Sequence, residues 1–192
     1  MLKLILASSS PYRKELLARL GVQFECVTPD VDEQTLDNES PDNYVRRLSM
    51  EKAAKVGENR ENSLIIGSDQ CALCNQQIIG KPGSHDKAVA QLTALSGQHV
   101  IFLTGVTILN LTSKQSSTWV SRFTVKFRTL DQAEIERYLQ VDRPYNCAAS
   151  FKSESLGIAL CETMQGDDPT ALVGLPLIKV AQQLRVFGIA IP

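Results

Sequence analysis

Ser8-Ser9-Ser10-Pro11-Tyr12-Arg13 places three hydroxyls and a guanidinium where an apolar run gives way to a proline-led helix start. Unpaired N–H groups and the helix dipole favour an anion at such a terminus. Hydroxyls add donors, and an arginine can fork onto phosphate oxygens. The same residues equally make an ordinary serine-capped helix with a solvated arginine, and the segment alone does not decide. It lacks the G-x-x-x-x-G-K-S/T pattern and is no P-loop.

Asp30-Val31-Asp32-Glu33 and Asp69 supply carboxylates of the kind that hold Mg²⁺ or Mn²⁺, which prefer oxygen ligands and often share them with phosphates. Asp30 and Asp32 read better as an acidic surface turn. Asp69 follows the apolar Leu64-Ile65-Ile66, so burial near the sheet edge is expected, and a buried charge wants a partner. Lys52 and Lys81 are candidate phosphate cations. A lone lysine is usually solvated, but Gly80 and Pro82 frame Lys81 and would fix where its ammonium points.

Ser150-Phe151-Lys152-Ser153-Glu154, if extended, puts Phe151 and Ser153 on one face and Lys152 and Glu154 on the other. The Lys/Glu pair is then either a surface ion pair worth little or a reader of a base edge; the surface pair is the plainer choice. His85 and His99 lack an acidic partner in a triad context, which gives serine or cysteine nucleophilic catalysis little support. Cys71-x-x-Cys74 is a redox or zinc motif only with further partners. No second C-x-x-C or His-rich segment exists, and positions three apart on a strand face opposite sides.

These groups need elements to position them. Leu2–Ala7 reads as a buried strand and Phe24–Thr28 as a second, with a helix between them that starts at Ser10-Pro11 and closes at Gly21. Ser40-Pro41 opens a helix to about Val56. Leu64–Gly67 is a third strand, leading into Ser68-Asp69-Gln70 at its carboxyl end. Ser84 caps a helix to about Leu95, and Asp131 with Glu134 resembles a capping box. Val100–Leu111 and Thr118–Phe127 read as a long antiparallel hairpin. Two short strands are expected to flank Phe151–Cys161, a helical turn begins at Asp168-Pro169, and Pro176–Phe187 is a final helix. The implied class is mixed α/β, in which ligands sit beyond the carboxyl ends of strands.

The bulk properties narrow the partners. The 192 residues suit one domain over 1–192, with 43% hydrophobic and 21% charged residues. A net charge of −1 gives no global field towards nucleic acid or a membrane. The apolar run at Met1–Ala7 is too short for a signal or a membrane span. Five cysteines, with no export signal, fit a reducing cytoplasm. The oligomeric state stays open, a homodimer included.

In order along the chain, Leu4–Arg13, Asp32-Glu33, Glu51-Lys52-Ala53, Ile66–Gln70, Gly80-Lys81-Pro82 and Gly174-Leu175-Pro176 resemble the motifs of the Maf family of nucleoside triphosphate pyrophosphatases. The resemblance spans Leu4 to about Leu177. It implies the fold of the Ham1, or inosine triphosphatase-like, group: an elongated, twisted mixed sheet with helices and two lobes around a nucleotide cleft. It also implies metal-dependent hydrolysis of a nucleotide substrate to a monophosphate and pyrophosphate, with a divalent cation, Mg²⁺ or Mn²⁺, activating water for attack on the α-phosphorus.

By the same resemblance Ser8, Arg13, Lys52 and Lys81 hold phosphates, Glu33 and Asp69 serve the metal, and Asp69 is the general base. Tyr12, Gln70 and Glu154 stand at positions that divide the family by base, and they resemble its 7-methylguanosine triphosphate branch. The branch for thymidine and uridine triphosphates usually has Asp-Thr where this chain has Asp69-Gln70. Ser155 stands where a glycine is more usual. A non-catalytic nucleotide-binding regulator of septum formation is the alternative of another class.

Overall fold

The computed structural model describes residues 2–58 and 60–191. Its strands are β1 (Lys3–Ala7), β2 (Glu25–Val27), β3 (Ser63–Cys74), β4 (Gln77–Ile79), β5 (His99–Asn110), β6 (Gln115–Phe127) and β7 (Cys161–Gly166). The helices are α1 (Pro11–Ala18), α2 (Pro41–Gly57), α3 (His85–Leu95), α4 (Gln132–Asp142), α5 (Pro169–Val173) and α6 (Leu177–Val186). Neighbouring strands are hydrogen-bonded in the order β2-β1-β3-β5-β6-β7, with β4 pairing on β3. The sheet is mixed. β1 runs parallel to β2 and β3, whereas β4 is antiparallel to β3 and β7 to β6.

The chain forms two compact units. The first comprises Met1–Gln70, Thr104–Ser121 and Asp168–Pro192. In it β1 is covered on both faces, which is why LILA is apolar without alternation. Leu4 and Leu6 pack with Leu16 and Leu17 of α1 and Val180 and Leu184 of α6. Ile5 and Ala7 face Ala53 and Val56 of α2. The helix starts follow their local chemistry: Ser10 and Ser40 accept from Arg13 N and Asn43 N, each with proline next.

The second unit comprises Cys71–Leu103 and Arg122–Asp167. Here α3 is capped by Ser84, and α4 by a reciprocal capping box between Asp131 and Glu134. Phe151 packs against Phe102 and Phe127, with ring centroids 5.8 and 5.2 Å away.

Three expectations are corrected. β3 does not stop at Gly67 but continues to Cys74, so Asp69 lies inside a strand flanked by β1, β5 and β4 rather than at a strand end. Among the described residues no strand leads directly into Phe151: 3₁₀ turns cover Ala148–Ser150 and Leu156–Leu160, and β7 begins at Cys161. Residues 153–155 form a turn, so the alternation of Lys152 and Glu154 against Phe151 and Ser153 does not apply.

Candidate active site

In the first unit the arrangement is built on a missing side chain. A Cβ at Gly67 would stand 2.1 Å from the Ser49 carbonyl oxygen and 2.8 Å from the Ala53 nitrogen. Glycine therefore lets α2 lie directly on β3. That approach carries Lys52, 5% exposed, to Asp69, 7% exposed. The Lys52 Nζ donates to Asp69 Oδ1 at 2.6 Å and lies 2.6 Å from Glu33 Oε1. One buried ammonium thus joins a buried carboxylate to one whose side chain is 54% exposed.

Glu33 comes from the loop before α2, and α2 itself holds that loop. The Tyr44 hydroxyl donates to the Glu33 carbonyl at 3.0 Å. Arg47 donates to the Gln34 carbonyl at 2.9 Å and forks onto Glu39 at 2.6 and 2.8 Å. The hydrogen bonds from Arg47 hold the Glu39 carboxyl below its ordinary range. Neither Tyr44 nor Arg47 figured in the sequence reading. A Tyr and an Arg on a helix after an acidic loop give no local signal of this role.

Arg13 is not a solvated arginine. Its Nε donates to the Gly174 carbonyl at 2.9 Å, and Nη1 reaches Ser8 Oγ at 3.5 Å. Burial pulls its pKa below the ordinary guanidinium value, while the charges of Asp69 and Glu33 oppose that shift. Ser8 is buried and accepts from the Ser10 N–H at 3.1 Å. Tyr12 is the second residue of α1 and half-buried. Ser8, Arg13, Glu33, Lys52 and Asp69 are therefore drawn into one neighbourhood of two cations and two carboxylates.

The Gly174 carbonyl is set by a clamp that the sequence reading touched only as a helical turn. Asp168 Oδ1 accepts from Thr170 N at 2.9 Å and Thr170 Oγ at 2.6 Å, and Oδ2 accepts from Ile178 N at 2.8 Å. Thr170 Oγ accepts from Leu177 N at 2.8 Å. One aspartate so closes the starts of α5 and α6, and Gly174 between them takes a φ of 113°, which a side chain rarely adopts. The Gly174 carbonyl then accepts from both Arg13 and Ser68 Oγ, each at 2.9 Å.

Gln70 belongs to the same local network. Its Nε2 donates to Thr104 Oγ at 2.9 Å and to the Ala171 and Leu172 carbonyls at 2.8 and 3.2 Å. Two carbonyl acceptors fix which way the amide points.

Lys81 and Glu154 lie in the second unit, both exposed. The loop bearing Lys81 is tethered on both sides. The Gly80 carbonyl accepts from Ala149 N at 3.3 Å and Gln91 Nε2 at 3.1 Å, and Gly83 N donates to the Tyr145 carbonyl at 3.0 Å. Ahead of Glu154, the buried Tyr138 hydroxyl donates to the Ser150 carbonyl at 3.2 Å and accepts from Lys152 N at 3.0 Å. Cys71 and Cys74 form no disulfide and are buried in β3. His85 bonds Tyr145 and Glu136 at 3.0 and 2.9 Å.

Among the described residues, no group of three or more His, Cys, Asp or Glu side chains is placed to hold a metal ion. Glu33 and Asp69 still offer hard oxygen donors, each with one oxygen 2.6 Å from the Lys52 ammonium. That suits Mg²⁺ or Mn²⁺, which take one or two carboxylates and draw their other ligands from phosphates and water. No described helix is long and apolar enough to cross a membrane.

The fold has a solved counterpart. A HAM1 protein from Coxiella burnetii aligns with a TM-score of 0.55 over 97% of this chain and 100% of its own, at 12% identity, a likeness of fold alone. The model of the Maf-like protein family matches residues 3–187, and the chain belongs to that family. Its relatives include a 7-methyl-GTP pyrophosphatase of Nitrosococcus oceani, 53% identical over 96% of this chain and 93% of that protein. Another 7-methyl-GTP pyrophosphatase, from Pseudomonas syringae pv. tomato, is 48% identical over the whole of both.

Proposed function

We propose that this protein is a nucleoside triphosphate pyrophosphatase that hydrolyses 7-methyl-GTP to 7-methyl-GMP and pyrophosphate. The observation that carries the reading is the buried Lys52 ammonium held between Asp69 and Glu33 beside Arg13. A passive triphosphate binder needs cations; the buried Asp69 and the half-exposed Glu33 among them give a base and hard-oxygen ligands as well. Whole-length similarity to 7-methyl-GTP pyrophosphatases supports the choice of substrate.

Asp69 takes the proton of a water whose oxygen bonds to the α-phosphorus, and the bond from that phosphorus to the bridging oxygen breaks to release pyrophosphate. Lys52 donates to Asp69 Oδ1 and orients that carboxylate before the proton moves. Arg13 and Lys52, with Ser8 and Lys81 assigned by the family motifs, hold phosphate oxygens and stabilise the spreading charge. Glu33 and Asp69 would hold the divalent metal, which when bound polarises phosphoryl oxygens and lowers the pKa of bound water.

Tyr12, Gln70 and Glu154 are assigned to the base. N7 methylation makes guanine cationic, so an aromatic face attracts it. A carboxylate can accept from its N1–H and amino group. Uracil and thymine would set carbonyl oxygens against that carboxylate. The activity belongs to the cytoplasm and acts on free nucleotide; light scattering separates a homodimer from a monomer.

The test is pyrophosphate release from a panel of normal and methylated nucleotides with Mg²⁺ or Mn²⁺. The highest kcat/KM should fall on 7-methyl-GTP. A higher value for UTP or dTTP would move the chain to the other branch, and binding without release from any nucleotide would make it a regulator.

A further inference from the structure

Gln91, in the second turn of α3, uses both ends of its amide. Nε2 donates to the Gly80 carbonyl at 3.1 Å, next to Lys81, and Oε1 accepts from Ser150 Oγ at 2.6 Å. Ser150 is fully buried and opens the segment that runs to Glu154. Ala149 and Ser150 both have positive φ, 57° and 53°, so this turn persists only because its surroundings hold it. Besides the Ser150 hydroxyl bond to Gln91, the turn has the Tyr138 hydroxyl on its carbonyl. The Gly80 carbonyl also accepts from Ala149 N at 3.3 Å, so the loop and the turn meet directly beside the Gln91 bridge.

We propose that Gln91 is a positioning residue that locks the Lys81 loop to the segment bearing Glu154, one amide atom serving each. The inference rests on the assignment of Lys81 to phosphates and Glu154 to the base. Its chemistry separates the two halves. Gln91→Glu keeps an acceptor for Ser150 Oγ but sets a carboxylate oxygen without a proton against the Gly80 carbonyl. Ser150→Ala leaves the Nε2 bond to Gly80 and removes the other.

The experiment measures kcat and KM for 7-methyl-GTP and UTP with melting temperature as a folding control. Gln91→Glu should raise KM for both nucleotides alike by about three- to tenfold, the size of one lost positioning hydrogen bond, and leave their kcat/KM ratio in place. Ser150→Ala should instead narrow that ratio by about three- to tenfold. In a Lys81→Ala background, Gln91→Glu should add nothing further, because the ammonium it positions is gone. Gln91→Met, of similar volume and unable to make either bond, should show both effects and serves if Gln91→Glu does not fold. The inference is overturned if Gln91→Glu narrows the ratio as Ser150→Ala does, or keeps its full effect without Lys81. If Lys81→Ala leaves KM unmoved, or Glu154→Gln leaves the ratio unmoved, the parent assignment falls and takes the inference with it. That outcome is distinct, because it appears with Gln91 intact.

Discussion

Replacing Asp69 and Lys52 one at a time should separate turnover from stability. In Asp69→Asn the amide oxygen can still accept from Lys52, and Lys52 keeps Glu33 at 2.6 Å. The fold then exchanges a charge-assisted hydrogen bond for an ordinary one, a loss of about 1 kcal/mol, while removal of a positioned base lowers kcat by about 10²–10⁴-fold. Lys52→Met keeps the apolar stem but leaves Asp69, 7% exposed, without the ammonium that holds it. Breaking a buried pair in this way costs about 3–5 kcal/mol, and nearby Arg13 places the expectation at the lower end. For a chain of this size 1 kcal/mol moves Tm by about 2–4 °C. Asp69→Asn should therefore melt within a few degrees of wild type, and Lys52→Met on the order of 10 °C lower. The double variant should regain part of that loss, since no buried carboxylate is left without its ammonium. Thermal melts and pyrophosphate release decide it. Turnover of Asp69→Asn within a few fold of wild type removes Asp69 from the chemistry. An Asp69→Asn melting drop as large as that of Lys52→Met refutes the asymmetry argued from Glu33.

Gly67→Ala should cost about 1–3 kcal/mol in overpacking and lower kcat/KM for every nucleotide, because α2 cannot carry Lys52 to Asp69; a melt and activity like wild type would show that the close approach is dispensable. Glu154→Gln should reduce the preference for 7-methyl-GTP over UTP by about ten- to a hundredfold, the worth of a charge-assisted hydrogen bond, whereas an equal loss on both would assign Glu154 to the fold. Exchanging Cys71 and Cys74 together for Ala should leave catalysis nearly intact at a stability cost of about 1–3 kcal/mol; zinc found by elemental analysis in wild type and lost in the variant would reverse that reading. Burial pushes the Cys161 thiol up to about 11 and raises that of Cys74 as well. At pH 8 both are protonated and poor nucleophiles, so iodoacetamide should modify the exposed Cys26 first by peptide mapping.

The local grammar of the chain determined most of its elements. Ser10-Pro11, Ser40-Pro41, Ser84 and Asp131 with Glu134 each begin a helix where a side-chain oxygen meets an orphan N–H. LKLILA and the β5 and β6 runs are strands because their residues suit a pleated, covered surface. Resemblance to the family's motifs, rather than spacing, singled out Asp69, Lys52 and Arg13. Tertiary structure decided the rest. β3 runs on through Asp69-Gln70 to Cys74, where β4 pairs with Ala72–Cys74, and the local sequence at Ser68-Asp69-Gln70 does not announce that continuation. The segment after Ser150 turns rather than extends, since the Tyr138 hydroxyl holds its backbone and Gly157 packs on that of Lys152, where a Cβ would come within 2.4 Å of the carbonyl oxygen. Arg13 meets a carbonyl 161 residues away, and Lys52 meets Asp69 only because Gly67 has no side chain. Caps and periodicity act within a turn or two of the chain, whereas a charge pair depends on which surfaces come to rest together, and packing alone chooses that.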